Sequence, residues 1–167
     1  MHNQMVNEMP QTPNDYALRS ATKADINDIV AIDSRSFLQP WSRASFDSAF
    51  ADPEKTIVLV IDEFTSNGPI IRAFGVAWTV GDESEIATIA VDTPARGRGL
   101  GKMMMHELVA QCISRGAQTL YLEVRPSNEA ARRLYLDMGW VEVGKRPNYY
   151  ANGETALIMC FDTVCKL

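Results

Sequence analysis

The segment from Ile89 to Lys102 restricts the possible folds more tightly than any other part of the chain. It runs Ile89-Ala90-Val91-Asp92-Thr93-Pro94-Ala95-Arg96-Gly97-Arg98-Gly99-Leu100-Gly101-Lys102. A β-prone apolar run enters a glycine-rich, basic turn. A helix-prone segment with Met103, Met104, Leu108 and Cys112 follows at once. A strand feeding a helix through such a turn aims backbone N–H groups and a helix N-terminus at one point. That point attracts anions, phosphates above all. Arg96, Arg98 and Lys102 add positive charge around it.

Two familiar phosphate cradles fail on spacing. A Walker loop needs glycine five residues before the Gly-Lys pair and Ser or Thr after the lysine. Arg96 and Met103 stand in those places. A dinucleotide fingerprint needs a third glycine three residues past the second. Lys102 or Met104 stands there, depending on the frame. What remains is Arg-x-x-Gly-x-Gly opening a helix.

The rest of the chain reads as one mixed α/β unit. Residues 1–15 are polar, with two prolines and no apolar run, and predict a flexible tail rather than a secretory signal. Residues 16–167 predict a single domain, a size that can bury a sizeable core. Tyr16–Arg19 predicts a first strand, and Thr22 to Asp25 a capping-box helix start with Ile26, Ile29, Val30 and Asp33 at helical spacing. Ser42 predicts the cap of a second short helix. Strands are expected at Thr56–Asp62, Ile70–Val80 and Glu83–Val91, joined by turns and so antiparallel. The pattern then alternates: a helix over Leu100–Arg115, a strand over Thr119–Val124, a helix from Pro126 through Met138, and closing strands at Trp140–Val143 and Thr155–Phe161. Strand, helix, strand in that order predicts a βαβ crossover in the second half of the sheet.

Composition removes several function classes. The formal net charge of −5 argues against direct nucleic-acid binding and against an anionic membrane surface. No apolar run approaches the roughly 20 residues that span a bilayer. Cys112, Cys160 and Cys165 form no C-x-x-C pair and suit a reduced, cytoplasmic compartment. The two histidines, His2 and His106, make no metal constellation, so no metal is expected. The acidic run Asp82 to Glu85 fits a solvated hairpin turn, and less readily a site for a basic peptide.

Two side chains stand out as chemistry. In Leu120–Arg125 the residues alternate, with Tyr121, Glu123 and Arg125 on one face. A carboxylate within an apolar strand is costly unless paired or functional, so Glu123 is either a surface ion-pair member or a general base. Tyr135 falls on or beside the apolar face of the next helix, where its ring suits core packing with the hydroxyl at the edge.

The glycine turn resembles the acetyl-CoA signature of the GCN5-related N-acetyltransferases (GNAT). The run from Leu122 through Ala131, then Leu134-Tyr135 and Met138-Gly139-Trp140, is similar to one bacterial subgroup, the ribosomal-protein-alanine N-acetyltransferases. Pro40-Trp41-Ser42 and Asn148-Tyr149-Tyr150 match it as well, and the likeness covers nearly all of the chain after Tyr16. The resemblance implies the GNAT fold, a mixed central sheet flanked by helices, and acetyl-CoA as cosubstrate. It implies Glu123 as general base and Tyr135 as the acid that protonates the departing thiolate. Ile89, Ala90 and Val91 would hold the pantetheine arm. Arg96, Gly97, Arg98, Gly99, Leu100, Gly101 and Lys102 would hold the pyrophosphate. Asn128 is implied as a further contact to the cosubstrate, although helix capping would occupy the same side chain. Trp41, Tyr149 and Tyr150 would line the acceptor groove, or else pack the sheet edge. The implied acceptor is the N-terminal α-amine of a basic ribosomal protein, the eighteenth of the small subunit. The alternatives are lysine side chains, other N-termini, small amines, or an acyl-CoA-binding module without turnover. Arg96 stands where close relatives often carry glutamine, and the tail has no counterpart in compact members.

Overall fold

A computed structural model describes residues 15–163. The expected tail lies outside the described residues, apart from Asp15, whose carbonyl accepts from the Phe64 N–H at 2.7 Å. His2 and Cys165 also lie outside them.

Seven strands form one sheet in the order β1-β2-β3-β4-β5-β7-β6. They are β1 Tyr16–Ser20, β2 Thr56–Thr65, β3 Gly68–Val80, β4 Glu83–Val91, β5 Thr119–Val124, β6 Val141–Arg146 and β7 Ala156–Asp162. The helices are α1 Ile26–Ser36, α2 Arg43–Ala51, α3 Leu100–Ser114 and α4 Glu129–Asp137. β1 through β4 pair antiparallel. β4 and β5 pair parallel across the α3 crossover, and β7 then pairs antiparallel with both β5 and β6. The expected meander and βαβ unit are both present.

Period-2 patterning divides the core into two layers. Ile57, Leu59 and Ile61 of β2 pack with Leu120, Leu122 and Val124 of β5 under Met104, Met105 and Leu108 of α3. Val58 and Val60 point the other way, to Ile29 and Ile32 of α1 and Phe46 of α2. Burying each such side chain contributes about 1.5–3 kcal/mol. Gly75 on β3 lets α3 approach closely, since a Cβ there would lie 2.7 Å from Leu108 Cδ1. The helix that follows the glycine turn is therefore held tightly against the sheet.

Local starts and stops follow side-chain chemistry. Ser42 Oγ accepts from the Ser45 N–H at 3.1 Å and caps α2, as expected. The Thr22 N–H donates to the Asp25 carboxylate at 2.7 Å, but Lys23–Asp25 is a 3₁₀ turn, and the α-helix begins at Ile26. The helix expected from Pro126 begins later. Asn128 Oδ1 accepts from the Ala131 N–H, so Asn128 caps α4 and Pro126-Ser127 belong to the turn before it.

The sheet has one feature that the sequence pattern does not reveal. Val76 pairs with Thr88, whereas Ala77 pairs with Ile86, so Ala87 is an extra residue on β4. This bulge inverts the alternation of the strand. Ile86 faces the α3 layer, but beyond Ala87 it is Ile89 and Val91 that pack there, while Ala90 faces α1 and α2. The paired residues of β4 and β5 end at Ile86 and Leu122, the step at which the bulge begins. From there β4 continues against β3 and β5 against β7. The two central strands part, leaving β4 from Ala87 to Val91 without a β5 partner, although the Val91 carbonyl is taken by Arg96.

Among the described residues, no helix is long and apolar enough to cross a membrane.

Candidate active site

The glycine turn lies beyond the end of β4. Gly97 and Gly99 have φ of 76° and 81°, in the left-handed region that glycine enters without strain. Gly99 is the N-cap of α3 and carries no side-chain cap. Its carbonyl accepts from the Met103 N–H at 3.0 Å. The amides of Leu100, Gly101 and Lys102 thus precede the first intrahelical bond, and they point out of the helix end. Space is open where side chains on Gly97 or Gly99 would stand, with nothing within 4 Å of either Cβ position.

The two arginines of the turn also serve as ties. Arg96 Nε donates to the Val91 carbonyl at 3.0 Å. Arg98 donates to the Tyr16 oxygen and to Glu63, the latter at 3.0 Å. Glu63 in turn pairs with Arg72 at 2.6 Å, and these partners, Arg72 first, hold its carboxyl below the usual range. Buried Asp92 accepts from Arg35 at 3.0 Å and fixes the exit of β4. Arg98 is therefore shared between the turn and β2, a role absent from the sequence reading.

Where β4 and β5 part, a cleft of about 590 Å³ opens. It brings together Ile89, Glu123, Asn128 and Tyr135 with Trp41, Tyr149 and Tyr150, the three side chains expected to line an acceptor groove. Residues from five separate parts of the chain thus meet in one cavity. Ala90 is buried in the α1–α2 layer, and the turn from Arg96 to Lys102 lies outside this cavity. Trp41 is half-buried, stacked 5.7 Å from Trp78, and its N–H donates at 2.6 Å to buried Asp33. Burial pushes the Asp33 carboxyl up, and the Trp41 N–H opposes that shift.

Glu123 is mostly sheltered, its side chain 17% exposed, and Oε1 lies 2.7 Å from Arg146 Nη1. Its partner is thus on β6, two strands away, and not the adjacent Arg125. Tyr149 approaches the same carboxylate. Hydrogen bonding to Glu123, followed by burial, pushes the Tyr149 phenol up to about 12. Tyr135 packs 6.3 Å from Trp140 under the cleft. Burial pushes its phenol up to about 12, so it carries its proton throughout the neutral range. The site therefore holds a carboxylate able to accept a proton and a phenol able to give one.

Arg125 faces the loop between β6 and β7. It donates to Glu154 at 3.0 Å and to Asn152 at 3.2 Å, and its guanidinium lies 3.5 Å from the Tyr150 ring centre. Glu154 also accepts from the Ser127 N–H at 3.0 Å. Ser127, with Arg125, holds the Glu154 carboxyl at about 2. On its far side the loop donates from the Ala151 N–H to Gln39, in the segment between α1 and α2.

A second cleft of about 510 Å³ adjoins the first and shares Leu122 and Glu123 with it. Glu83 and Glu85 line it beside Trp78 and Tyr121. The acidic run at the β3–β4 hairpin therefore opens onto the candidate site as well as onto solvent.

Residues 26–140 match the Acetyltransferase (GNAT) family, and the chain belongs to that family. Within it, the chain is 37% identical over 131 residues to the ribosomal protein bS18-alanine N-acetyltransferase of Salmonella typhimurium, covering 77% of this chain and 84% of that one. The crystal structure of the Escherichia coli ribosomal-protein-S18-alanine N-acetyltransferase superposes with a TM-score of 0.77 at 34% identity, over 88% of this chain and 93% of that one. Ard1 from Thermoplasma volcanium gives 0.79 at 25% identity, over 89% and 97%. The chain is an acetyltransferase with the mixed sheet of the GNAT fold.

Proposed function

We propose that this enzyme transfers the acetyl group of acetyl-CoA to the N-terminal α-amine of a protein, with the alanine terminus of ribosomal protein bS18 as its acceptor. The observation that carries the mechanism is the meeting of Glu123 and Tyr135 in the one cleft where β4 and β5 part. The acceptor rests on likeness to relatives that bear that activity in their names.

The donor site follows from open backbone groups. The Leu100, Gly101 and Lys102 amides, with the charge of Arg96, Arg98 and Lys102, suit a pyrophosphate. The edge of β4 left unpaired by β5, at Ile89 and at the Val91 N–H, suits the amides of a pantetheine arm. Asn128 remains a candidate contact through its amide nitrogen, since its Oδ1 is committed to the α4 cap. Bound there, acetyl-CoA supplies the activated acetyl group.

Glu123, directly or through water, takes one proton from the acceptor ammonium. The freed nitrogen attacks the thioester carbonyl, and the C–N bond forms. Backbone N–H groups of β4 stabilise the developing oxyanion, a contribution of about 2.7–4 kcal/mol for one such donor elsewhere. The C–S bond breaks, and Tyr135 gives its proton to the departing sulfur. The attacking nitrogen sheds its second proton to solvent as the amide forms, the proton held by Glu123 restores Tyr135 through solvent, and no acyl-enzyme forms. Replacing Tyr135 with phenylalanine keeps the ring that packs on Trp140. It is expected to lower kcat by about a hundredfold with CoA affinity within about threefold. Unchanged turnover with reduced stability would assign Tyr135 to packing alone.

An α-amine loses its proton near pH 8, against about 10.4 for a lysine, so far more of it is neutral at pH 7. The Glu83 and Glu85 carboxylates beside the cleft suit a basic segment behind that amine. Competition kinetics test the acceptor. Three acceptors are compared: an alanine-initiated basic peptide, the same peptide with a blocked α-amine and free lysines, and a polyamine. The free alanine terminus is expected to react at least about a hundredfold faster, the gap in neutral fraction between the two amines. Equal rates for the blocked peptide or the polyamine would overturn the acceptor while leaving the acetyltransferase in place.

A further inference from the structure

We propose that Arg125 is a positioning residue for the acceptor: it holds the loop of residues 147–155 over the cleft and so sets the affinity for the acceptor amine. The proposal rests on the acceptor end assigned above to Tyr149 and Tyr150. Arg125 follows the last residue of β5 and stands two residues beyond Glu123, and both side chains line the same cleft. The first reaches the reacting amine; the second reaches the loop.

Arg125 holds that loop at three points. Its guanidinium stacks 3.5 Å from the Tyr150 ring centre, and it donates to Asn152 and Glu154. Arg125 and Glu154 are both largely sheltered, each side chain 21% exposed, so this pair is screened less than a surface one. Glu154 closes the arrangement by accepting from the Ser127 N–H, which ties the loop to the turn before α4. Two further side chains reach the loop from outside: Gln39 accepts from the Ala151 N–H, and Glu123 accepts from the Tyr149 phenol. The loop turns at Asn148, whose φ of 52° lies in the left-handed region that asparagine tolerates. The planar, forked guanidinium can stack and donate in two directions at once, which an ammonium cannot do. None of these contacts involves the glycine turn or the open edge of β4. Arg125 therefore acts on the acceptor without acting on the donor.

Hydrogen exchange and steady-state kinetics together test this. In Arg125→Ala, amides of residues 147–155 are expected to exchange about tenfold faster, with α3 and β4 unchanged. The peptide KM should rise about tenfold or more, the range for losing charged hydrogen bonds. CoA affinity should stay within about twofold, and kcat within about threefold. Arg125→Lys keeps the pair with Glu154 but loses the stack, and should fall between the two. Should Arg125→Ala not fold, Glu154→Gln releases the same loop from its other side and is expected to give the same split. Unchanged exchange in the loop overturns the proposal. So does a loosened loop with an unchanged acceptor KM, or a rise in both substrates' KM. If the wild-type enzyme does not acetylate the alanine peptide, the acceptor assignment fails. The exchange result still judges Arg125, and KM is then compared on the amine that the wild type does accept.

Discussion

Glu123→Gln is expected to lower kcat by about 10²–10⁴-fold while leaving CoA affinity within about twofold. The substitution removes the proton acceptor and preserves the shape of the side chain. It also breaks the pair with Arg146. That guanidinium is 58% exposed, so water solvates it when the carboxylate is gone, and the fold should survive. The Tyr149 phenol loses the neighbour that holds it at about 12, and its titration should fall towards the ordinary tyrosine range. A spectroscopic titration of the variant thus reports that the site is intact apart from its charge. Near wild-type turnover at every pH would remove Glu123 from the mechanism.

Gly99→Asp is expected to cost at least about a hundredfold in CoA affinity, because like charges brought together cost several kcal/mol. The side chain would enter open space, so no clash confuses the result. The backbone at φ 81° is strained for any L-residue, but Asp and Asn tolerate it best. Gly99→Asn therefore carries the same strain without the charge, and the difference between the two isolates electrostatics. A carboxylate at the start of α3 also favours the helix dipole. Stability should rise from Asn to Asp while affinity falls. Calorimetry with CoA and a thermal melt on both variants read these opposite signs. Equal affinity in the two variants would place the pyrophosphate elsewhere.

The two candidate sites differ in how openly the sequence displays them. The cradle is legible because it is local: strand, turn and helix start lie within fourteen consecutive residues, and Gly97 and Gly99 stand where the backbone needs glycine. The alternation of Leu120–Arg125 likewise shows that Glu123 and Arg125 share a face. The capping role of Asn128 could be weighed from its position alone. What the sequence conceals depends on register between distant strands. Arg146 reaches Glu123 only because β6 pairs with β7 and β7 with β5. Arg125 could be seen as a neighbour of Glu123, but not as the partner of Glu154, 29 residues on. Asp33 sits at helical spacing with Ile29 and Val30. Its burial beneath Trp41 could not be inferred without the intervening loop. Ala87 carries no glycine or proline to announce a bulge, and the run from Glu83 to Val91 reads as an unbroken strand.

That inserted residue has a consequence for how the chain tolerates changes in length. Substituting Ala87 alters one side chain; deleting it removes the bulge itself. Every residue from Thr88 to Val91 would keep its layer and its partner on β3, because Thr88 would then follow Ile86 directly, as Ala77 follows Val76 on the facing strand. The same deletion would allow β4 to resume its ladder with β5 past Leu122 and close the opening between them. The chain would then hold a more regular sheet with no room for a thioester. Loops such as Ser66–Asn67 can gain or lose a residue cheaply, whereas at this point in β4 the count itself is the functional element.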